Sequence, residues 1–202
     1  MKKKTVALLL ALTLVLGVAA GGTLAWLTDT SDTVTNTFTT SDIKVKLEET
    51  KGTGTTATEK SFQMVPGWTI DKDPKAWVEA GSEDCYLFVK LEKSTNFDTY
   101  LSYEVDISEG KWTKLEGVTD EVYYRVVEAN EMGTSHKFSV LKDDKVTVSG
   151  SVTKEMMNGL KEKDYPTLTV TAYASQLYKS NGVEFPPAEA WANINPATTV
   201  TP

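Results

Sequence analysis

Thr167-Leu168-Thr169-Val170-Thr171-Ala172-Tyr173-Ala174 alternates hydroxyl-bearing side chains with small or branched apolar ones. That is the period of two of a half-buried antiparallel strand, with threonine on the outer face. The same period recurs upstream. Asp42-Ile43-Lys44-Val45-Lys46-Leu47-Glu48 places Ile43, Val45 and Leu47 inward and charge outward, and Leu101-Ser102-Tyr103-Glu104-Val105-Asp106-Ile107 repeats the pattern. Less regular runs at Glu121–Val127 and Phe138–Leu141 are aromatic and β-branched enough to join the same sheets. Turn chemistry separates them: Lys51 to Thr58, Pro66-Gly67, Ala80-Gly81-Ser82, Ser108-Glu109-Gly110, Asn130 to Gly133, Lys142-Asp143-Asp144-Lys145 and Asn181-Gly182. Pro66-Gly67 suits a type II turn, and Thr50 to Thr58 reads as a mobile hairpin tip or loop. Two short segments read as helix, Thr153 to Leu160 with Thr153 as N-cap and Pro187 to Ile194 with proline early. The spacing predicts an all-β sandwich or jelly roll over residues 41–194, decorated by one or two short helices, with a polar, frayed tail over 195–202.

The first 25 residues differ in kind. Lys2, Lys3 and Lys4 precede an apolar run from Val6 to Ala20, and Thr23 and Ala25 place small residues at positions −3 and −1 of a cleavage site. The run is shorter than the roughly 20 residues a spanning helix needs. A signal peptide is therefore expected, forming a helix before the body and cut after Ala25 so that the mature chain begins at Trp26 and is secreted. An uncleaved anchor is the alternative. Removing three lysines and no acid takes the formal charge from −7 to −10. An acidic chain is repelled by nucleic acid and by anionic membrane surfaces, so neither is expected as a partner. No apolar stretch in the tail supplies a mature membrane anchor. The 177 residues after Ala25 fit one domain, which buries roughly 70% of its unfolded surface without disulfides. Cys85 is the lone cysteine and precedes an apolar run, so it reads as a small buried or edge-facing side chain.

Residues for catalysis are scarce. His136 is the sole histidine, which removes the two-histidine zinc motif and leaves any triad with one possible base. Beside Lys137 it reads as a solvated strand-edge residue. No nucleophile elbow, phosphate loop or dinucleotide fingerprint occurs. Asp71/Asp73, Glu83/Asp84 and Asp143/Asp144 lack the alternate acids, central glycine and terminal glutamate of a calcium loop, and read as solvated surface acids. Trp68, Trp77, Trp112 and Trp191 lie in or beside apolar runs, where packing in a core is the default. The expectation is no catalytic residue, no metal and no cofactor.

Gly21-Gly22-Thr23-Leu24-Ala25-Trp26-Leu27-Thr28-Asp29-Thr30, then Asn36-Thr37-Phe38-Thr39 and Ile43-Lys44-Val45-Lys46-Leu47, closely resembles the start of TasA/camelysin-type exported proteins. The resemblance continues through Met64-Val65-Pro66-Gly67, Val78 to Lys90, Trp112, Tyr123-Tyr124-Arg125, Ala172-Tyr173-Ala174-Ser175-Gln176 and Ala190-Trp191, and so spans nearly the whole chain. Ala174-Ser175 and Cys85 depart from the family pattern. The resemblance implies export through an endoplasmic-reticulum-type signal peptidase, a two-sheet jelly roll, and fibres of a biofilm matrix. One branch of the family carries a metalloprotease label, which the missing ligands fit poorly.

Fibres have a physical route here. Residues 26–40 form a threonine-rich arm with Trp26, Leu27, Val34 and Phe38 as apolar anchors and few features for a core of its own. Such an arm suits strand donation to an exposed sheet edge of the next subunit, a head-to-tail contact that propagates. The expected partners are thus other copies or related exported subunits, with signal peptidase during export. Two other functions compete: a cell-surface metalloprotease, and a monomeric adhesin or accessory protein sharing the export route.

Overall fold

A computed structural model describes residues 43–54, 60–180 and 182–194. The expected signal peptide with Thr23 and Ala25, the arm with Trp26, Leu27, Val34 and Phe38, and the tail from residue 195 lie outside the described residues, as do residues 55–59 and Asn181. In chain order the strands are β1 (Val45–Glu48), β2 (Thr69–Asp71), β3 (Lys75–Val78), β4 (Cys85–Lys93), β5 (Leu101–Val105), β6 (Thr113–Lys114), β7 (Glu121–Val127), β8 (Phe138–Ser139), β9 (Leu141–Val148), β10 (Leu168–Gln176), β11 (Tyr178–Ser180) and β12 (Val183–Glu184). Among the described residues three short α-helices accompany them: α1 (Phe97–Tyr100), α2 (Lys154–Gly159) and α3 (Pro187–Ile194).

All strand pairs are antiparallel. The ladders run β10-β4-β7-β6, β1-β3-β8, β2-β9-β5 and the small hairpin β11-β12. The second and third sets are two stretches of one surface. Lys72 N–H donates to the Asp144 carbonyl and Val140 N–H to the Pro74 carbonyl across the gap between them. The ladder lapses for a local reason. Pro74, opposite Val140, has no N–H to donate, and Asp143 and Asp144, the latter opposite Lys72, take φ of 56° and 54°. Such left-handed geometry in consecutive non-glycine residues bends β9 into a bulge. Lys142-Asp143-Asp144-Lys145, expected as a turn between strands, is thus an irregularity inside one.

The two surfaces face each other across the main core. Leu87, Val89 and Leu91 of β4 and Val127 of β7 meet Ala76 and Val78 of β3 and Leu141, Val146 and Val148 of β9. Val45, Leu47, Val170 and Ala172 pack at its margin, on the faces their period-two spacing predicts. β4 is buried on both faces, because Tyr86 and Phe88 point away from this core into a second one with Val122, Leu177, Ala190 and Trp191. Pro187 opens α3, and that helix seats Trp191 against Phe88 and Tyr173, with ring centroids 5.3 and 5.2 Å away. Fully burying one such ring stabilises the fold by about 3 kcal/mol.

Local signals elsewhere have their expected outcomes. Thr153 Oγ1 accepts from Met156 N–H at 3.3 Å and caps α2. Gly67 has φ of +75°, and Trp68 N–H returns to the Val65 carbonyl at 3.0 Å, as a type II turn requires. Two expectations fail. Trp68 is 67% exposed: the turn docks on β9 through backbone groups, Gly67 N–H to Val148 C=O and Val148 N–H to Trp68 C=O, so its ring stays in solvent. Asp73 is 3% exposed and not a solvated acid. Its carboxylate accepts from Thr50 N–H (3.0 Å), Thr50 Oγ1 (2.6 Å) and Lys51 N–H (2.8 Å). Burial works against that charge, and these bonds outweigh it, so the carboxyl sits below the usual carboxylate range.

Candidate assembly interface

Strands with one unpaired side decide what another chain can add to. Among the described residues these are β1, β5, β6 and β10, besides β2, β8, β11 and β12, which are only two or three residues long. β1 is four residues long and charged; Lys46 faces Glu79 at 3.5 Å, and Glu48 pairs with Lys137. β6 has two residues. Short length and charge are the usual protection of an edge.

β5 borders an open cleft of about 540 Å³, lined by Tyr103, Val105, Ile107, Lys114, Glu121 and Tyr123 among others. It lies where the β5 side of one surface and the β6-β7 side of the other fail to close. Strand alternation puts Tyr103 and Val105 on one face of β5, and Ile107 continues the spacing past its end, 66% exposed. On the facing strand Glu121 accepts from Tyr103 Oη (2.9 Å) and Tyr123 Oη (3.3 Å). Burial, then the Glu121 charge, pushes the Tyr123 phenol up to about 12 and that of Tyr103 far above its ordinary value. Both phenols therefore stay protonated donors and hold the carboxylate in place. At the rim Lys142 pairs with Glu104 at 2.7 Å. Lys111 pairs with Asp106, and its hydrogen bond, with that of Ser108, holds this carboxyl low. Nearby, the Arg125 guanidinium lies 3.5 Å from the centroid of Phe138 and 5.9 Å from that of Trp112. Burial lowers its basicity.

The arrangement offers an extended chain two things. β5 presents main-chain donors and acceptors on its free side, and the cleft beside it has room for apolar side chains. Its carboxylates and phenols are tied to each other or to lysines. His136 is exposed in the turn before β8, with Nδ1 at 3.1 Å from both Ser135 Oγ and the Met132 carbonyl. Cys85 is fully buried in β4, where burial, then Asp84, pushes its thiol up to about 12. No group of three or more His, Cys, Asp or Glu among the described residues is placed to hold a metal ion, and no described helix is long and apolar enough to cross a membrane.

The cleft was missed from sequence, although the odd-numbered run Leu101, Tyr103, Val105, Ile107 carried its signal: the apolar period outlasts the strand. No family model, curated protein or solved structure matches this chain.

Proposed function

We propose that the mature chain is a secreted, non-enzymatic subunit of an extracellular fibre, built as a two-sheet jelly roll and joined head-to-tail by its N-terminal arm. The observation that carries this reading is the open cleft along the free side of β5. A strand added there would satisfy the main-chain groups of β5. In an extended chain Trp26, Val34 and Phe38 share parity, so one face of the arm would turn these three anchors toward the cleft, with Leu27 opposite. Each anchor fully buried would contribute about 1.5–3 kcal/mol before the cost of ordering the arm. Donor segment and acceptor cleft are different parts of the molecule, so the contact is heterologous and does not close. The jelly-roll reading rests on the facing surfaces β10-β4-β7-β6 and β1-β3-β8/β2-β9-β5, the latter bridged across the Pro74 gap.

The test compares residues 26–202 with a chain beginning at Ser41 by electron microscopy. Filaments from the longer chain alone are expected. Filaments of equal quality from both would refute the role of the arm.

A further inference from the structure

β10 is the one long edge among the described residues that carries neither charge nor proline. Leu168-Thr-Val-Thr-Ala-Tyr-Ala-Ser-Gln176 holds nine residues with no charge and no proline. It pairs with β4 in unbroken register from Leu168↔Lys93 to Gln176↔Cys85. No ladder partner occupies its other side among the described residues; β1 lies against it at the corner of the body but belongs to the facing surface. Long, flat, uncharged edges are the ones that pair with another chain.

We infer that β10 pairs with β10 of a second copy, antiparallel about a two-fold axis at Ala172, joining two four-stranded sheets into one. The occupant follows from the sequence of the edge itself. Inverted about Ala172, it sets Val170 against Ala174, Thr171 against Tyr173 and Thr169 against Ser175. At the ends Leu168 meets Gln176, so every cross-strand pair is uncharged and no like charges oppose. A two-fold contact uses the same patch on both copies and closes at a dimer. This pairing uses neither the arm nor the β5 cleft, so it stands or falls apart from the fibre reading. If both hold, dimers join through β10 and lengthen through β5.

The experiment uses residues 41–202, a compact unit to which every described residue of both cores belongs. Sedimentation should give a monomer–dimer equilibrium, and amide exchange on residues 168–176 should slow as concentration rises, with β5 unaffected. Thr171→Glu sits beside its register partner Lys90 within the subunit, but brings two carboxylates together diagonally across the axis. It should be monomeric, and mixing it with Thr171→Lys should restore a dimer. A chain that stays monomeric at millimolar concentration, a Thr171→Glu dimer as tight as the parent, or protection appearing on β5 instead of β10 would overturn the inference. Should a variant not fold, concentration-dependent exchange on the parent chain decides the matter by itself.

Discussion

Asp73→Ala isolates one buried carboxylate that links the segment after β1 to the gap between β2 and β3. The side chain accepts three hydrogen bonds, from both donors of Thr50 and from the amide of Lys51. A net contribution near 1 kcal/mol per bond would give about 3 kcal/mol. The donors sit at exposed residues, where water replaces part of each bond on truncation. The expected loss is therefore about 2 kcal/mol near neutral pH, read from urea midpoints at unchanged m. The pH dependence gives a second, independent signature. The folded-state carboxyl is depressed, so its contribution is complete above the unfolded value near 4 and disappears as pH falls through the lower folded value. The gap between parent and Asp73→Ala should thus narrow from pH about 5 to pH about 2. Asp73→Asn, which keeps the oxygen facing both amides, should cost less than half as much. A loss under about 0.5 kcal/mol, or a gap that ignores acid, would refute the assignment of these bonds as the reason the acid is buried.

Other outcomes follow from the same packing. Trp191→Ala removes a ring with no exposed surface, wedged against Phe88 and Tyr173, and should cost about 3–5 kcal/mol by chemical denaturation. Trp68→Ala, at 67% exposure, should change stability by less than about 0.5 kcal/mol in the same assay. Cys85 should resist alkylation at mildly alkaline pH in the folded chain and react at once in denaturant, since its thiol is buried and pushed up to about 12.

The parts of the fold legible in the sequence were those fixed locally. Period-two runs mark β1, β5 and β10, aromatic and β-branched content marks β7, Thr153 marks the start of α2, and Pro66-Gly67 specifies its turn, because each depends on residues within a few positions. What depended on distant partners was not legible. Trp68 and Trp191 both sit beside apolar residues, and only α3 closing over Phe88 separates an exposed ring from a buried one. Asp73 resembled any surface acid, since its donors lie 22 and 23 residues upstream. Lys142 to Lys145 carries turn chemistry, spent here on a bulge within β9, where the neighbouring chain passes through Pro74 between β2 and β3 and the ladder lapses. The anchors of the arm were read from composition, whereas the cleft beside β5 emerges only when β5 and β7 are set on facing surfaces.

Strand donation to β5 is put to the test by adding a peptide of residues 26–40 to the chain beginning at Ser41 and following amide exchange. Slowed exchange across Leu101–Val105 is expected, lost when Trp26, Val34 and Phe38 of the peptide are replaced by serine. Unchanged exchange on β5 at saturating peptide, or protection that survives loss of the three anchors, would contradict it.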